Sequence, residues 1–531
     1  MFQALRTPKR VILSGTPIQN DLGEFHAMAD FCNPGVLDDY SNFKRTFEVP
    51  IIASRMPDCS SKSLQKGRDK AEQLQTLAKS FVLRREATIL ANYLPPKYEY
   101  VVFVSPTQIQ LQMITHLLNP ENLYRLTDST AKSLALIQTL SKLCNSPYLL
   151  KGRASVSDDI IAEVVRMVPA QARAEDITLS GAYPKNEILA IAYKHLGKLS
   201  ALGGILKELR ATTDEKCIIV SHYTSTLDII EAFCNKQRYT LFRLDGRTPQ
   251  AQRQEFVDKF NKSPQSERYL FLLSAKAGGV GLNLIGASRL ILVDGDWNPS
   301  HDLQAMARIH RDGQKRPVYI YRLLTAGTID EKIFQRQITK IGLSDAMMGT
   351  STSSSKSKTD SFTSKELRDL FSIHPHAICH THELLACACS TLAGSAIEDD
   401  GHLAVNPVRK FVQPGSDEED EDEVGFVRGT QIDVDKISKK EIRKKQEALS
   451  SLAGWTHVNC MRQSAVSLIQ DRLLRSLVHT PRGGESKSLD DEFFWDVDEK
   501  GPSEEEEETP VRDVPGGTMT FIFERVSKTG L

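Results

Sequence analysis

Between about Lys194 and Lys340 the sequence alternates five times between a strand-like apolar run and a helical one. The pairs are CIIVSHY then TLDIIEAFC; YTLFRLDG then PQAQRQEFVDKF; YLFLLSAKAG then a glycine loop; RLILVDGDW then SHDLQAMARIH; and VYIYRLL then IDEKIFQRQITK. Five β-then-α units require a mostly parallel sheet with helices on both faces. Ligands of such sheets bind outside the carboxyl ends of the strands. The glycine-rich and charged punctuation of this region falls at those ends, so the search for function starts there.

The rest of the chain limits function less sharply. Its 531 residues are enough for two to four domains. A net charge of −1 names no partner, although acids concentrate late, in DEEDEDE at 417–423 and EEEEE at 504–508. Nine cysteines, mostly inside apolar runs, suit a reducing compartment better than a disulfide framework. No apolar run reaches the ~18 residues of a membrane span, and the N-terminus lacks a basic-then-apolar layout. KKEIRKK at 439–445 fits either a nuclear address or a solvated helix face. Arg10 to Gly15 reads as a short buried strand running into Gly-Thr-Pro. A helix follows through EFHAMADFC, and residues 74–149 are mostly helical around one strand, YEYVVFVS. Late in the chain, a helix around ISKKEIRKKQEALSSL, the run VSLIQDRLLRSLV and a terminal strand TMTFIFERVS are expected.

Three stretches carry chemistry. In QAMARIHRDGQ, a helix opening at Asn298-Pro299-Ser300 and closing at Gly313 would place Gln304, Arg308 and Arg311 on one face. Two guanidinium forks at a sheet's carboxyl edge match phosphate oxygens in the manner of an arginine finger, although arginines on a helix serve equally in surface ion pairs. In LLSAKAGGVGLNL a strand runs into Gly278, Gly279 and Gly281, which let backbone N–H groups approach an anion, with Lys276 adding charge; a tight turn between core elements is the other reading. SHYTSTLD and RLDGRT put hydroxyls and an arginine at strand ends, where they either grip a phosphodiester backbone or make ordinary turn and capping contacts.

Taken in order, LSGTPIQN, the RRE at 84–86, SHYTS, LDGRT, SAKAGGVGLNL, DGDWNP and QAMARIHRDGQ resemble the Swi/Snf-type ATPases of helicase superfamily two, over roughly residues 1–345. ARIHRDGQKRPVYIYRLLTAGTIDEKIFQRQ, THELLAC, LAGWTH and the terminal FIFERVS are similar to the recombinational-repair translocases of the Rad fifty-four type. The resemblance implies an α/β fold of RecA-like lobes, the second complete and the first represented by its last part, with helical insertions and a partly disordered C-terminal extension. The implied domains are a first-lobe remnant with a helical protrusion (1–150), an insert (151–193), the second lobe (194–345), a linker with a small Cys/His-rich piece (346–395) and an acidic tail ending in a helix and strand (396–531). It further implies ATP and Mg²⁺ between the lobes and sequence-independent binding of double-stranded DNA. A nuclear role in homologous recombination and double-strand-break repair follows, with the recombinase filament and chromatin as further partners.

Carried over residue by residue, Arg308 and Arg311 would be the finger residues, with Gln304 beside them. Gly278, Gly279, Gly281 and Asn283 would link DNA to nucleotide. Ser221, His222, Gly246, Arg247 and Thr248 would face the DNA backbone, with Lys276 nearby, and Ser14, Gly15 and Thr16 would couple the lobes. The sequence holds no G-x-x-x-x-G-K-[ST]; HLGKLS has Ala192 where the leading glycine belongs. A D-E-x-H box is also missing, so the chain is expected to be N-terminally truncated and inactive on ATP by itself. The alternative is a catalytically dead module that binds DNA or the recombinase. Relatives also imply zinc near a T-H…C-x-x-C pattern, which this chain changes to C-x-C; Cys379, His382, Cys387 and Cys389 are the expected Zn²⁺ ligands, and a packed cluster of reduced thiols is the other reading.

Overall fold

The computed structural model describes residues 7, 9–13, 22–54, 61–83, 85, 89, 93–127, 130–153, 159–167, 197–277, 281–347, 364–385, 387, 445–446, 448–478, 514 and 516–527. Eight strands form one sheet: β1 Lys97–Val104, β2 Cys217–Ser221, β3 Leu241–Leu244, β4 Leu270–Ser274, β5 Arg289–Leu292, β6 Val318–Thr325, β7 Thr456–Asn459 and β8 Met519–Ser527, in the order β3-β4-β2-β5-β6-β1-β8-β7. All five strands of the alternating region form and pair in parallel. Their near-continuous apolar runs are explained by burial on both faces. On one side Ile219, Leu272, Ile291 and Leu323 join the helices Gly197–Thr212 and Thr224–Lys236. On the other, Ile218, Phe271, Leu290 and Ile320 pack with the helices Gln250–Lys262 and Pro299–Met306.

The sheet extends beyond the region that announced it. β1, which the sequence placed with the first-lobe remnant, pairs in parallel with β6 along its whole length, Lys97↔Val318 to Val104↔Thr325. β8 pairs antiparallel to β1 on its other side, and β7 adds the edge. The end of the chain is therefore core. Ile522 and Phe523 are fully buried. Asp471 receives Arg289 at 2.9 Å and Glu524 receives the Tyr100 hydroxyl at 3.1 Å, both below the surface. Removing the Glu524 carboxylate would leave the buried Tyr100 hydroxyl without this partner, whereas Arg289 would keep Glu215 at 2.7 Å.

The described helices within 22–54 and 61–82 make a separate core around Phe25, Phe43, Ile51 and Leu74. Arg10 to Leu13 is not a strand. Val11 is 84% exposed and Leu13 94%, because no described strand lies beside them to pair with and cover them. Among the described residues no helix is long and apolar enough to cross a membrane.

Candidate functional site

The carboxyl end of β2 is organised by carboxylates rather than open to solvent. Ser221 is fully buried, and its hydroxyl donates to Asp294 Oδ2 at 2.6 Å. The His222 amide donates to Asp294 Oδ1 at 2.7 Å, and Asn145 Nδ2 reaches Asp294 Oδ2 at 2.8 Å. His222 Nε2 lies 2.9 Å from Asp302 Oδ1. Its Nδ1 is 3.1 Å from Asp296 Oδ2 but off the hydrogen-bonding line, so that tie is chiefly Coulombic. Burial by itself would lower the His222 pKa, but Asp296, Asp302 and the charge of Asp294 outweigh it and raise it to about 10. The imidazolium thus bridges the ends of β2 and β5 and the first turn of Pro299–Met306. Ser221 and His222, expected to face DNA, instead hold strand ends together. A hydroxyl and an imidazole at a strand end fit both roles in sequence, and only the three aspartates of DGDWNPSHD decide between them.

The arginine segment also differs from its expectation. The helix runs from Pro299 to Met306, capped by Asn298, and stops. Arg308 and Arg311 lie in the turns that follow, so helical spacing does not align them with Gln304. The cause is a competing bond: the Arg308 carbonyl accepts from Leu284 N at 3.1 Å, inside the glycine loop, instead of continuing the helix. Gly313, at φ +92°, lets the chain reverse. The loop and turn are still brought together. Arg311 Nη1 donates to the carbonyls of Leu282 at 3.0 Å and Gly281 at 3.4 Å. Arg308 Nε is buried without a hydrogen-bond partner, and burial together with the neighbouring Arg311 lowers its pKa. Among the described residues no carboxylate pairs with either guanidinium.

The other expected residues divide by exposure. Gly246, Arg247, Lys276, Gly281 and Asn283 are exposed, while Gln304 and Thr248 are half-buried. The Arg247 amide is fixed by Asp245 Oδ1 at 2.8 Å, and Thr248 Oγ1 accepts from Asp245 N at 3.0 Å, so the turn is rigid while the Arg247 side chain points outward. Ser14, Gly15, Thr16, Gly278 and Gly279 lie outside the described residues. Lys198, from the P-loop-like HLGKLS, is fully buried and donates to Val293 O at 2.9 Å and to Asp330 at 2.5 Å, which makes it a structural lysine.

This arrangement of loop, turn and strand ends can be set beside known proteins. Residues 1–149 match the SNF2-related domain and residues 197–313 match the helicase conserved C-terminal domain. The chain belongs to the SNF2-related, helicase-like family. It is 44% identical over 407 residues to the mouse (Mus musculus) DNA repair and recombination protein RAD54B, covering 73% of this chain and 44% of that protein. It is 39% identical over 401 residues to RAD54 of Saccharomyces cerevisiae (75% and 42%), and 43% identical over 403 residues to RDH54 of the same species (75% and 41%); both are DNA repair and recombination proteins. The helicase-like chain thus spans less than half the length of these relatives. Its fold also resembles the C-terminal part of the Fun30 ATPase domain, at 26% identity and a TM-score of 0.38, covering 52% of this chain and 96% of that one.

The expected zinc ligands do not assemble as a set. Cys379 is buried against Glu331, with Sγ 3.6 Å from Oε1, and burial pushes its thiol well up. Cys389 lies outside the described residues. His382 and Cys387 do come together, and the third member of their group is His457 on β7, which sequence reasoning missed. Burial and the neighbouring His457 hold the His382 pKa down to about 4.

Proposed function

We propose that this chain is the carboxyl portion of an ATP-dependent translocase on double-stranded DNA, acting in homologous recombination and double-strand-break repair in the nucleus. The observation that carries the reading is the Arg308–Arg311 turn. Two guanidinium groups stand in the turns between the helix Pro299–Met306 and β6, the Arg311 one tied to the glycine loop, and neither pairs with a carboxylate among the described residues. Neighbouring cations without a counter-ion suit a polyanion. Bound ATP with Mg²⁺ would supply the phosphoryl group whose charge such arginines stabilise.

In this reading Arg308 and Arg311, with Gln304 beside them, reach toward a triphosphate gripped by a P-loop carried elsewhere. Gly278, Gly279, Gly281 and Asn283 pass strain between that site and DNA, and Ser14, Gly15 and Thr16 couple the lobes. Gly246, Arg247, Thr248 and Lys276 meet the duplex backbone. Ser221 and His222 act one step behind, by fixing the strand ends. The relatives' names as DNA repair and recombination proteins support the pathway, and the recombinase filament and chromatin are the partners it implies.

The test joins this chain's second lobe to a relative's P-loop-bearing lobe and follows DNA-stimulated phosphate release. Arg311→Ala is expected to lower turnover by on the order of 10³-fold, the lower range for a finger arginine. Turnover that survives loss of both arginines overturns the reading. The 531-residue chain by itself is expected to release no phosphate. Its lack of any G-x-x-x-x-G-K-[ST] favours the second reading, a module that binds DNA without catalysis. That reading prevails if the chain binds duplex DNA and no chimera turns over.

A further inference from the structure

We infer that Arg243, Asp245 and Arg253 are positioning residues that lock the turn after β3, so that Arg247 stands ready for a phosphodiester backbone; this role rests on the proposed binding of duplex DNA and deepens it. Gly246, Arg247 and Pro249 are exposed, and a Cβ at Gly246 would meet nothing within 4 Å. With so little packing against the turn, hydrogen bonds set its shape. Asp245, only 4% exposed, supplies most of them. Its Oδ1 accepts from the Arg247 amide at 2.8 Å and its carbonyl accepts from Thr248 N at 3.2 Å, while its own amide donates to Thr248 Oγ1 at 3.0 Å. From the next helix, Gln250–Lys262, Arg253 Nε reaches back to the Thr248 carbonyl at 3.1 Å, and its Nη2 lies 3.4 Å from the Asp245 carbonyl.

Arg243 anchors the carboxylate from behind. Its Nε and Nη2 each lie 3.0 Å from Asp245 Oδ2, and its Nη1 holds Asp228 at 2.7 Å and Glu231 at 2.6 Å, both on the helix Thr224–Lys236. Three carboxylates occupy this guanidinium, so it is no phosphate contact itself. Asp245 therefore has two opposed effects on a duplex at this turn. Its charge repels phosphate, while its hydrogen bonds hold Arg247 in one backbone geometry and cut the ordering cost of the contact. A substitution that removes the charge and keeps the size separates the two, because they have opposite signs. An asparagine has one acceptor oxygen for donors that arrive from Arg247 N on one side and Arg243 on the other, so one tie is lost.

The test measures duplex DNA binding by the full 531-residue chain, using fluorescence anisotropy across a salt series. Asp245→Asn is expected to weaken binding about three- to eightfold near ~0.1 M salt, the upper figure being the loss of one phosphate contact by counterion release. Arg243→Lys keeps the net charge and is expected to weaken binding similarly, since one ammonium cannot span Asp245, Asp228 and Glu231. Both variants should lower the salt slope toward that of Arg247→Ala, and neither should weaken binding further in the Arg247→Ala background. In the parent chain without DNA, amide exchange at Arg247 and Thr248 is expected to be at least about tenfold slower than in an unfolded peptide, which tests the brace without any variant. Unchanged or tighter binding by Asp245→Asn, additive losses with Arg247→Ala, or free exchange at the turn overturns the proposal while leaving DNA binding standing. A parent chain without duplex affinity overturns the DNA reading and the proposal together.

Discussion

His222→Gln isolates the bridge between the strand ends. The imidazolium faces Asp294 and Asp296 beyond β5 and Asp302 on the following helix; His301 also reaches Asp296 at 2.9 Å, and Arg322 from β6 lies 3.9 Å from Asp302. Glutamine can still donate one hydrogen bond to Asp302 but brings no charge. The folded pKa is raised to about 10, against ~6.5 for an unfolded imidazole. The stabilisation is therefore fully present below about pH 6.5 and is lost as pH rises through the folded value. At ~1.4 kcal/mol per tenfold in proton affinity the ceiling is about 5 kcal/mol, and with three coupled carboxylates sharing the effect the working figure is on the order of 2–3 kcal/mol. Urea unfolding of parent and variant, followed by tryptophan fluorescence at pH 6, 8 and 10, reads the difference directly. The variant should be less stable at pH 6 by that amount, with the gap shrinking steadily toward zero by pH 10. A gap that stays constant across the series would refute the charged bridge and leave only a packing role.

Phe523→Ala removes a fully buried ring from β8. It should cost about 3–5 kcal/mol, lowering the thermal midpoint by roughly 6–20 °C for a body of this size; a silent variant would show that the terminal strand does not belong to the core. Gly327 sits at φ +65°, and an added Cβ would lie 2.0 Å from the His374 carbonyl oxygen, so Gly327→Ala should cost about 2–4 kcal/mol by denaturant titration. Arg247→Ala and Lys276→Ala, both exposed, should each weaken duplex DNA binding without changing circular dichroism. Each should also reduce the slope of log affinity against log salt by about one; fluorescence anisotropy with unrelated duplex sequences checks both effects.

The five-strand parallel core was legible because strands buried on both faces must read as unbroken apolar runs, and CIIVS, LFLLS and RLIL do. The position of YEYVVFV was not, since a strand's own residues specify burial but not the neighbour it pairs with; β6 and β8 decide that. Helical spacing puts Gln304, Arg308 and Arg311 on one face, and that shared face does not form, because the helix stops at Met306. Helical spacing cannot reveal that a loop amide will capture the Arg308 carbonyl and end the helix. Asp294, Asp296 and Asp302 were visible as acids but silent as a group, because their common purpose appears only when β2 is placed beside β5. His457 stands in a strand three residues before Cys460, and only the pairing of β7 with β8 brings it near His382 and Cys387.

The placement of β8 has a consequence for the order in which the molecule is made. Val104 pairs with Met519, about 415 residues later. At a synthesis rate of ~5–20 residues per second, one side of β1 waits roughly 20–80 s for its neighbour. During that interval an apolar strand with unmet amides is exposed on the ribosome, where a chaperone or a neighbouring nascent chain competes for it. Completion of this sheet therefore waits until Met519 and the residues after it have been made, and a premature stop between β1 and Met519 would release a chain whose β1 lacks the strand that covers it.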